Sequence, residues 1–237
     1  PRVCGALALV PVSLIGRRTA GRGAALFGAV VLALLPGSFL QRTIVGFADH
    51  NGAEPLFMGM AVVGLLAAFS VADEERPVWE LVTARDLDEL RRPAVWAGLA
   101  GFAVAMYMWV WPPGVLLVGI LGAYVLVKLT SDHVHGRSPD HGAFAATVAM
   151  LVTALLMLVP MSSTSFSPTD FGLLQIVVHL SVAGAAVALA ALARLWNARD
   201  LDAVTYPAAV GGTVLVGIAV VAVALPGLYD TLVNNFF

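Results

Sequence analysis

Charge is what this sequence has least of. Only 12% of its 237 residues are Asp, Glu, Lys or Arg, while 59% are hydrophobic and the mean hydropathy is +0.90. A soluble domain carries roughly twice that charge, about 25%, and is about half apolar. The composition therefore excludes a water-soluble globular domain. Cysteine is nearly absent: Cys4 stands alone, so no internal disulfide is possible, and it reads as a small buried hydrophobe rather than a reactive thiol. No Gly-rich phosphate loop follows a strand, and no basic patch is interleaved with aromatics, which argues against nucleotide-loop chemistry and nucleic-acid binding. The start lacks the charged head, apolar middle and cleavage site of a secretory signal. Internal repeats and low-complexity tracts are missing too. The chain enters an apolar run straight after Pro1-Arg2 and ends on Asn234-Asn235-Phe236-Phe237, so an internal piece of a longer membrane protein is expected.

What is present is a series of apolar runs. They lie near residues 3–16, 24–40, 55–72, 94–111, 113–129, 143–161, 172–196 and 206–226. Most match the roughly 17–25 residues that a spanning helix needs, and helices satisfy every backbone group inside lipid. Pro112-Pro113 turns the chain between the fourth and fifth. The expected fold is an all-α polytopic transmembrane helical bundle of about eight spans, with residues 1–237 forming a single transmembrane domain.

The few charges are sorted. With Arg17, Arg18 and Arg22 placed inside, alternation puts 11 of the 13 lysines and arginines on that side, leaving only Arg2 and Arg42 outside. That bias is the positive-inside rule at work. The loops at 41–54, 162–171 and beyond 227 then share the outer face. On the inner side, Asp73 to Arg92 mixes Val78, Leu81, Val82, Leu87 and Leu90 with many charges, as an amphipathic helix on the membrane surface does. Frequent glycines inside the spans suit close helix packing in lipid.

One outer loop concentrates polar chemistry next to hydrocarbon. Asp49-His50-Asn51 offers a carboxylate, an imidazole and an amide oxygen, with Glu54 nearby and Arg42 upstream. Charges beside the bilayer are costly and mark candidate functional sites. Oxygen donors suit Mg²⁺ or Mn²⁺, and Mn²⁺ also accepts imidazole. In extended backbone Asp49 and Asn51 point the same way. The residues equally fit a helix start, with Asp49 capping, Glu54 in the first turn and Pro55 at its first position.

Arg42-Thr43-x-x-Gly46-Phe47-x-Asp49-His50-x-x-x-Glu54 resembles the second acidic motif of the oligosaccharyltransferase catalytic subunit, in its archaeal, haloarchaeal form. Other stretches resemble that form as well, among them Leu34-Leu35-Pro36-Gly37-Ser38-Phe39-Leu40, Trp109-Val110-Trp111-Pro112-Pro113-Gly114, Ser165-Phe166-Ser167-x-Thr169-Asp170 and Tyr206-Pro207-Ala208-Ala209-Val210. The resemblance runs nearly end to end. It implies a membrane glycosyltransferase of the GT-C type, of which these segments are spans two to nine. Such enzymes transfer an oligosaccharide from a dolichyl phosphate or diphosphate carrier to the Asn of Asn-x-Ser/Thr sequons, on the outer face of the cell membrane, with a divalent cation, Mn²⁺ or Mg²⁺.

By the resemblance Asp49 is the catalytic, metal-binding aspartate. Asn51 is the second metal ligand, standing where archaeal members usually carry His and bacterial ones Asp; a neutral amide is the poorer ligand. Arg42 contacts the phosphate of the lipid-linked glycan. His50 and Glu54 support the site from behind. The family's first acidic motif, its Thr-Ile-x-Glu segment and its Trp-Trp-Asp-Tyr-Gly motif have no counterpart in these residues, so the chain alone is expected to be inactive. Other outer-face glycosyltransferases using polyprenyl-phosphate sugars, or a non-catalytic paralogue, are the alternatives. Asp132, His133, His135, Asp140 and His141 lie on the opposite side and read as a solvated loop. Trp109 and Trp111 read as an aromatic belt, and His179 as hydrogen-bonded within the bundle.

Overall fold

A computed structural model describes residues 2–35, 39, 50–71, 78–224, 226–227, 229–230 and 233. Among them are eight α-helices and no strand: α1 (Arg2–Leu34), α2 (Glu54–Val71), α3 (Val78–Ala84), α4 (Asp88–Val110), α5 (Val115–Val134), α6 (Asp140–Met157), α7 (Leu173–Ala198) and α8 (Tyr206–Ala224). All but α3 are long and apolar enough to cross a membrane. The chain is an all-α, multi-pass bundle.

α1 is two arms, not one rod. At Gly21 the backbone takes φ 87° and ψ −172°, a region open to glycine and strained for other residues. A Cβ on Gly16 would lie 2.9 Å from the Ala24 carbonyl oxygen, and one on Gly28 would lie 3.4 Å from the Val12 side chain. Residues 12 and 16 therefore sit beside 28 and 24, as in an antiparallel hairpin. Arg17, Arg18 and Arg22 are exposed around its tip.

Small residues let the other spans close on one another. A Cβ on Gly64 of α2 would lie 2.9 Å from the Ala100 Cα of α4, and one on Gly101 of α4 would lie 2.2 Å from the Ala149 carbonyl oxygen of α6. At that second crossing the Thr153 hydroxyl donates to the carbonyls of Gly101 and Ala149, each at 2.9 Å. The buried core beside it is rich in alanine, with Ala97, Ala100, Ala145, Ala146 and Ala149 all closed to solvent. In lipid, close backbone approach and interhelical hydrogen bonds replace the hydrophobic drive.

Three of the helices end in tight turns. Arg85 (φ 57°), Gly136 (φ 73°) and Asp200 (φ 52°) each end a helix in the left-handed region. Each turn closes with paired bonds, for example Asp86 N–H to Leu81 O at 2.9 Å and Arg85 N–H to Val82 O at 3.2 Å, which satisfy otherwise orphaned carbonyls. Among the described residues the turn at Arg85 divides the expected surface helix: Val78–Ala84 is one helix, and α4 begins at Asp88, ahead of the span expected from residue 94. Pro93 lies inside α4 rather than marking its start. The carbonyl that Pro93 deprives of a donor is that of Glu89, in the first turn.

α8 stands apart. Among its residues only Tyr206 and Val210 are buried. An apolar groove of about 360 Å³ runs between α5, α7 and α8, lined by Gly119, Gly122, Val178, Val182 and Val221. These positions lie toward the outer ends of their helices.

Candidate active site

A short 3-10 turn at His50–Gly52 leads into α2. Ala53 then begins the helix, its carbonyl accepting from Phe57 N–H at 3.0 Å. Glu54 is therefore the first helical residue and Pro55 the second, one place later than the sequence suggests. A carboxylate in the first turn suits the positive end of the helix dipole. Asn51 is half-buried in the turn, and Glu54 holds one carboxylate oxygen away from water. The structure thus brings the Asn51 amide and the Glu54 carboxylate to one helix start. Asp49 and Arg42 lie outside the described residues, as does the side chain of His50. Among the described residues no three His, Cys, Asp or Glu side chains gather as a metal site.

Behind this turn stands Tyr107 of α4, missed by the sequence reading. It is buried and lies within electrostatic reach of Glu54. Gly114, in the 3-10 turn Pro112–Gly114, leaves room for its ring: a Cβ there would lie 2.5 Å from Tyr107 Cε1. Trp111 meets the same ring edge-on at 6.2 Å. Trp109 and Trp111 are partly buried and pack on the core at the C-terminal end of α4. The signal was in the string Tyr107-x-x-x-Trp111-Pro112-Pro113-Gly114, an aromatic one turn before a compulsory reversal.

The neighbouring outer loop, residues 158–172, is locked by its own polar groups. Ser162 N–H donates to Phe171 O at 2.9 Å and Leu173 N–H to Ser165 O at 3.1 Å. The buried Gln175 side chain accepts from Gly172 N–H at 3.0 Å and donates to Ser167 O at 3.4 Å. One turn on, the fully buried His179 bonds through Nδ1 to the Gln175 carbonyl of its own helix, while its buried Nε2 has no hydrogen-bond partner among the described residues.

The inner polar cluster corrects the sequence reading. Asp132, His133, Asp140 and His141 are buried, and only His135 of the five is exposed. Lys128 and Arg137 both pair with Asp132, the latter at 3.0 Å. Arg194 of α7 grips Asp140 with two bonds, at 3.1 and 3.0 Å. His133 packs on Tyr206 at 4.2 Å, and the Tyr206 hydroxyl donates to Leu189 O at 2.8 Å. This is a fastening between α5, α6, α7 and α8. A solvated loop was expected because the closing partners, Arg194 and Tyr206, are far away in sequence.

The long apolar helices define a multi-pass membrane protein, with a short polar turn leading into α2. The family of that protein is clear from comparison. The model of the N-terminal part of the oligosaccharyl transferase STT3 family matches residues 1–236, and the chain belongs to that family. It is 56% identical over 236 residues to a protein of Haloferax volcanii named dolichyl-monophosphooligosaccharide–protein glycotransferase AglB, spanning all of this chain and 22% of that protein. It is 28% identical over 200 residues to the Archaeoglobus fulgidus dolichyl-phosphooligosaccharide-protein glycotransferase 3, which covers 83% of this chain and 22% of that protein. Among solved structures, A. fulgidus AglB in complex with an inhibitory peptide and a dolichol-phosphate superposes with a TM-score of 0.78 at 25% identity, covering 97% of this chain and 26% of that one. The A. fulgidus oligosaccharyltransferase complex with Zn and sulfate gives a TM-score of 0.76 at 25% identity, over 98% and 28% of the two chains. The chain thus spans about a fifth of the length of these named relatives.

Proposed function

We propose that this chain is the carrier-side part of an oligosaccharyltransferase of the cell membrane. In the whole protein it takes part in transferring an oligosaccharide from a dolichyl phosphate or diphosphate carrier to the Asn of Asn-x-Ser/Thr sequons. The observation that carries the reading is the 56% identity, along the entire chain, to the Haloferax protein named as such a transferase. The positive-inside bias supports an extracytoplasmic position for the loop 41–54.

Asp49 is the proposed catalytic residue. Asp49 and Asn51 are the proposed ligands of a divalent cation, Mn²⁺ or Mg²⁺. The donors at the start of α2 fit such an ion: the Asn51 amide and the Glu54 carboxylate offer oxygen, and no thiolate lies among them. When bound, the cation would neutralise phosphate charge on the leaving carrier. Glu54 and His50 would orient the ligands rather than touch the substrate. Arg42 would hold a phosphate oxygen through its fork of donors. The carrier's isoprenoid tail fits the apolar groove between α5 and α7, which opens in the outer half of the bundle beside Gly119 and Val178.

Replacing Asp49 tests the reading. In the whole protein Asp49→Ala should lower glycan transfer to a sequon peptide by at least a hundredfold with unchanged expression and melting temperature. Wild-type transfer by this variant would reduce Asp49 to a helix cap.

A further inference from the structure

The seven residues of α3 divide the helix into three sides. At about 100° per residue, Leu81 and Val78 fall within about 60° of each other, Val82 and Trp79 within the next 60°, and Thr83 and Glu80 beyond them. The first pair is buried with Leu90 against Phe144 of α6. The second pair is apolar yet exposed, Trp79 by 49% and Val82 by 53%. The third pair is polar and exposed. Protein, hydrocarbon and water each have one side, the order a helix needs when it lies along a bundle at the bilayer surface.

The neighbouring span says where that surface is. Val95, Leu99 and Phe102 of α4 are about half exposed and follow one another at helical spacing, which marks the lipid-facing stripe. Continued downward by three residues, that stripe ends on Arg92, with Arg91 beside it, both exposed. Between α3 and the arginines, Leu87 is 56% exposed. Tryptophan is favoured where hydrocarbon meets headgroups, and guanidinium groups bind phosphate through paired donors.

We propose that α3 and the first turn of α4 form an inner-leaflet lipid anchor. Trp79, Val82 and Leu87 enter the acyl boundary, while Arg91 and Arg92 bind the phosphate headgroup of an anionic bilayer lipid. The anchor fixes the depth of α4, and through its length the height of Tyr107 and Trp111 at the outer face.

The test uses the whole protein in nanodiscs of phosphatidylglycerol, with native cysteines changed to serine and single spin labels introduced. Labels at Trp79→Cys and Val82→Cys should be reached by oxygen several-fold better than by a water-soluble nickel chelate, and those at Glu80→Cys and Thr83→Cys the reverse. Equal nickel access at all four positions, or no access by either reagent at 79 and 82, overturns the proposal. Native mass spectrometry reads the headgroup separately. Wild type should retain phosphatidylglycerol over phosphatidylcholine, and Arg91→Gln/Arg92→Gln should lower that retention at least threefold. Equal retention of the two lipids by wild type refutes the arginine site.

Discussion

At the scale of single residues, position 51 is the informative one. A neutral amide stands where the resemblance expects an imidazole or a carboxylate. If Asn51 touches the ion, Asn51→His should lower the Mn²⁺ needed for half-maximal transfer, and a tenfold gain would amount to about 1.4 kcal/mol. Asn51→Asp should help more than His with Mg²⁺, since it adds charge without changing the donor from oxygen. Direct Mn²⁺ binding, read by paramagnetic broadening, should follow the same order. Superimposable curves for all three proteins would leave the site resting on Asp49 alone. The sequence made these residues legible because polar groups beside hydrocarbon are conspicuous. It could not reveal Tyr107 behind them, since an aromatic inside an apolar span looks like any other core residue until the turn at Pro112–Gly114 seats it next to Glu54.

At the scale of elements, crossings and turns give opposite answers to the same substitution. Gly101→Ala would drive a methyl group into the Ala149 carbonyl, 2.2 Å away, so α4 and α6 must separate and the Thr153 bond must stretch. A loss of about 1–3 kcal/mol is expected, read as a lower melting temperature in detergent. Gly184 lies in α7 with open space around it, and there alanine should be neutral or stabilising by up to about 1 kcal/mol, since it improves the helix. An equal effect at both sites would contradict the close contact. Helix existence was legible from the apolar runs; boundaries were less so. The apolar run begins near residue 94, but α4 begins at Asp88 and holds Pro93 inside it. The carbonyl that Pro93 leaves without a helical donor is that of Glu89, in the first turn.

At the scale of the whole molecule, the two ends of the bundle are held differently. Ion pairs between buried carboxylates and more exposed bases fasten the end that carries Asp132 and Asp140, and removing the base leaves a buried carboxylate without compensation. Arg194→Leu should therefore destabilise by about 1–3 kcal/mol, an amount reduced by the 45% exposure of the arginine, with Arg194→Lys intermediate because it keeps charge but loses the fork. No difference from wild type would show that water already screens Asp140. The sidedness itself is testable by cysteine labelling: positions 41–54 and 162–171 should label from outside, and 85 and 137 only after permeabilisation. Outer labelling at position 85 would invert the arrangement. Why the fastening went unread is also a matter of scale, because Asp140 and Arg194 are 54 residues apart and no local pattern links them.

The reversal at Gly21 bears on how the protein is made. Two arms joined by a tight turn can enter the membrane together as they leave the ribosome. The tip carries Arg17, Arg18 and Arg22. Dragging three guanidinium groups through the hydrocarbon would cost roughly 8–10 kcal/mol on the insertion scale. Translocation of the tip is thereby disfavoured, and the hairpin is expected to hold its tip on the side where it is made.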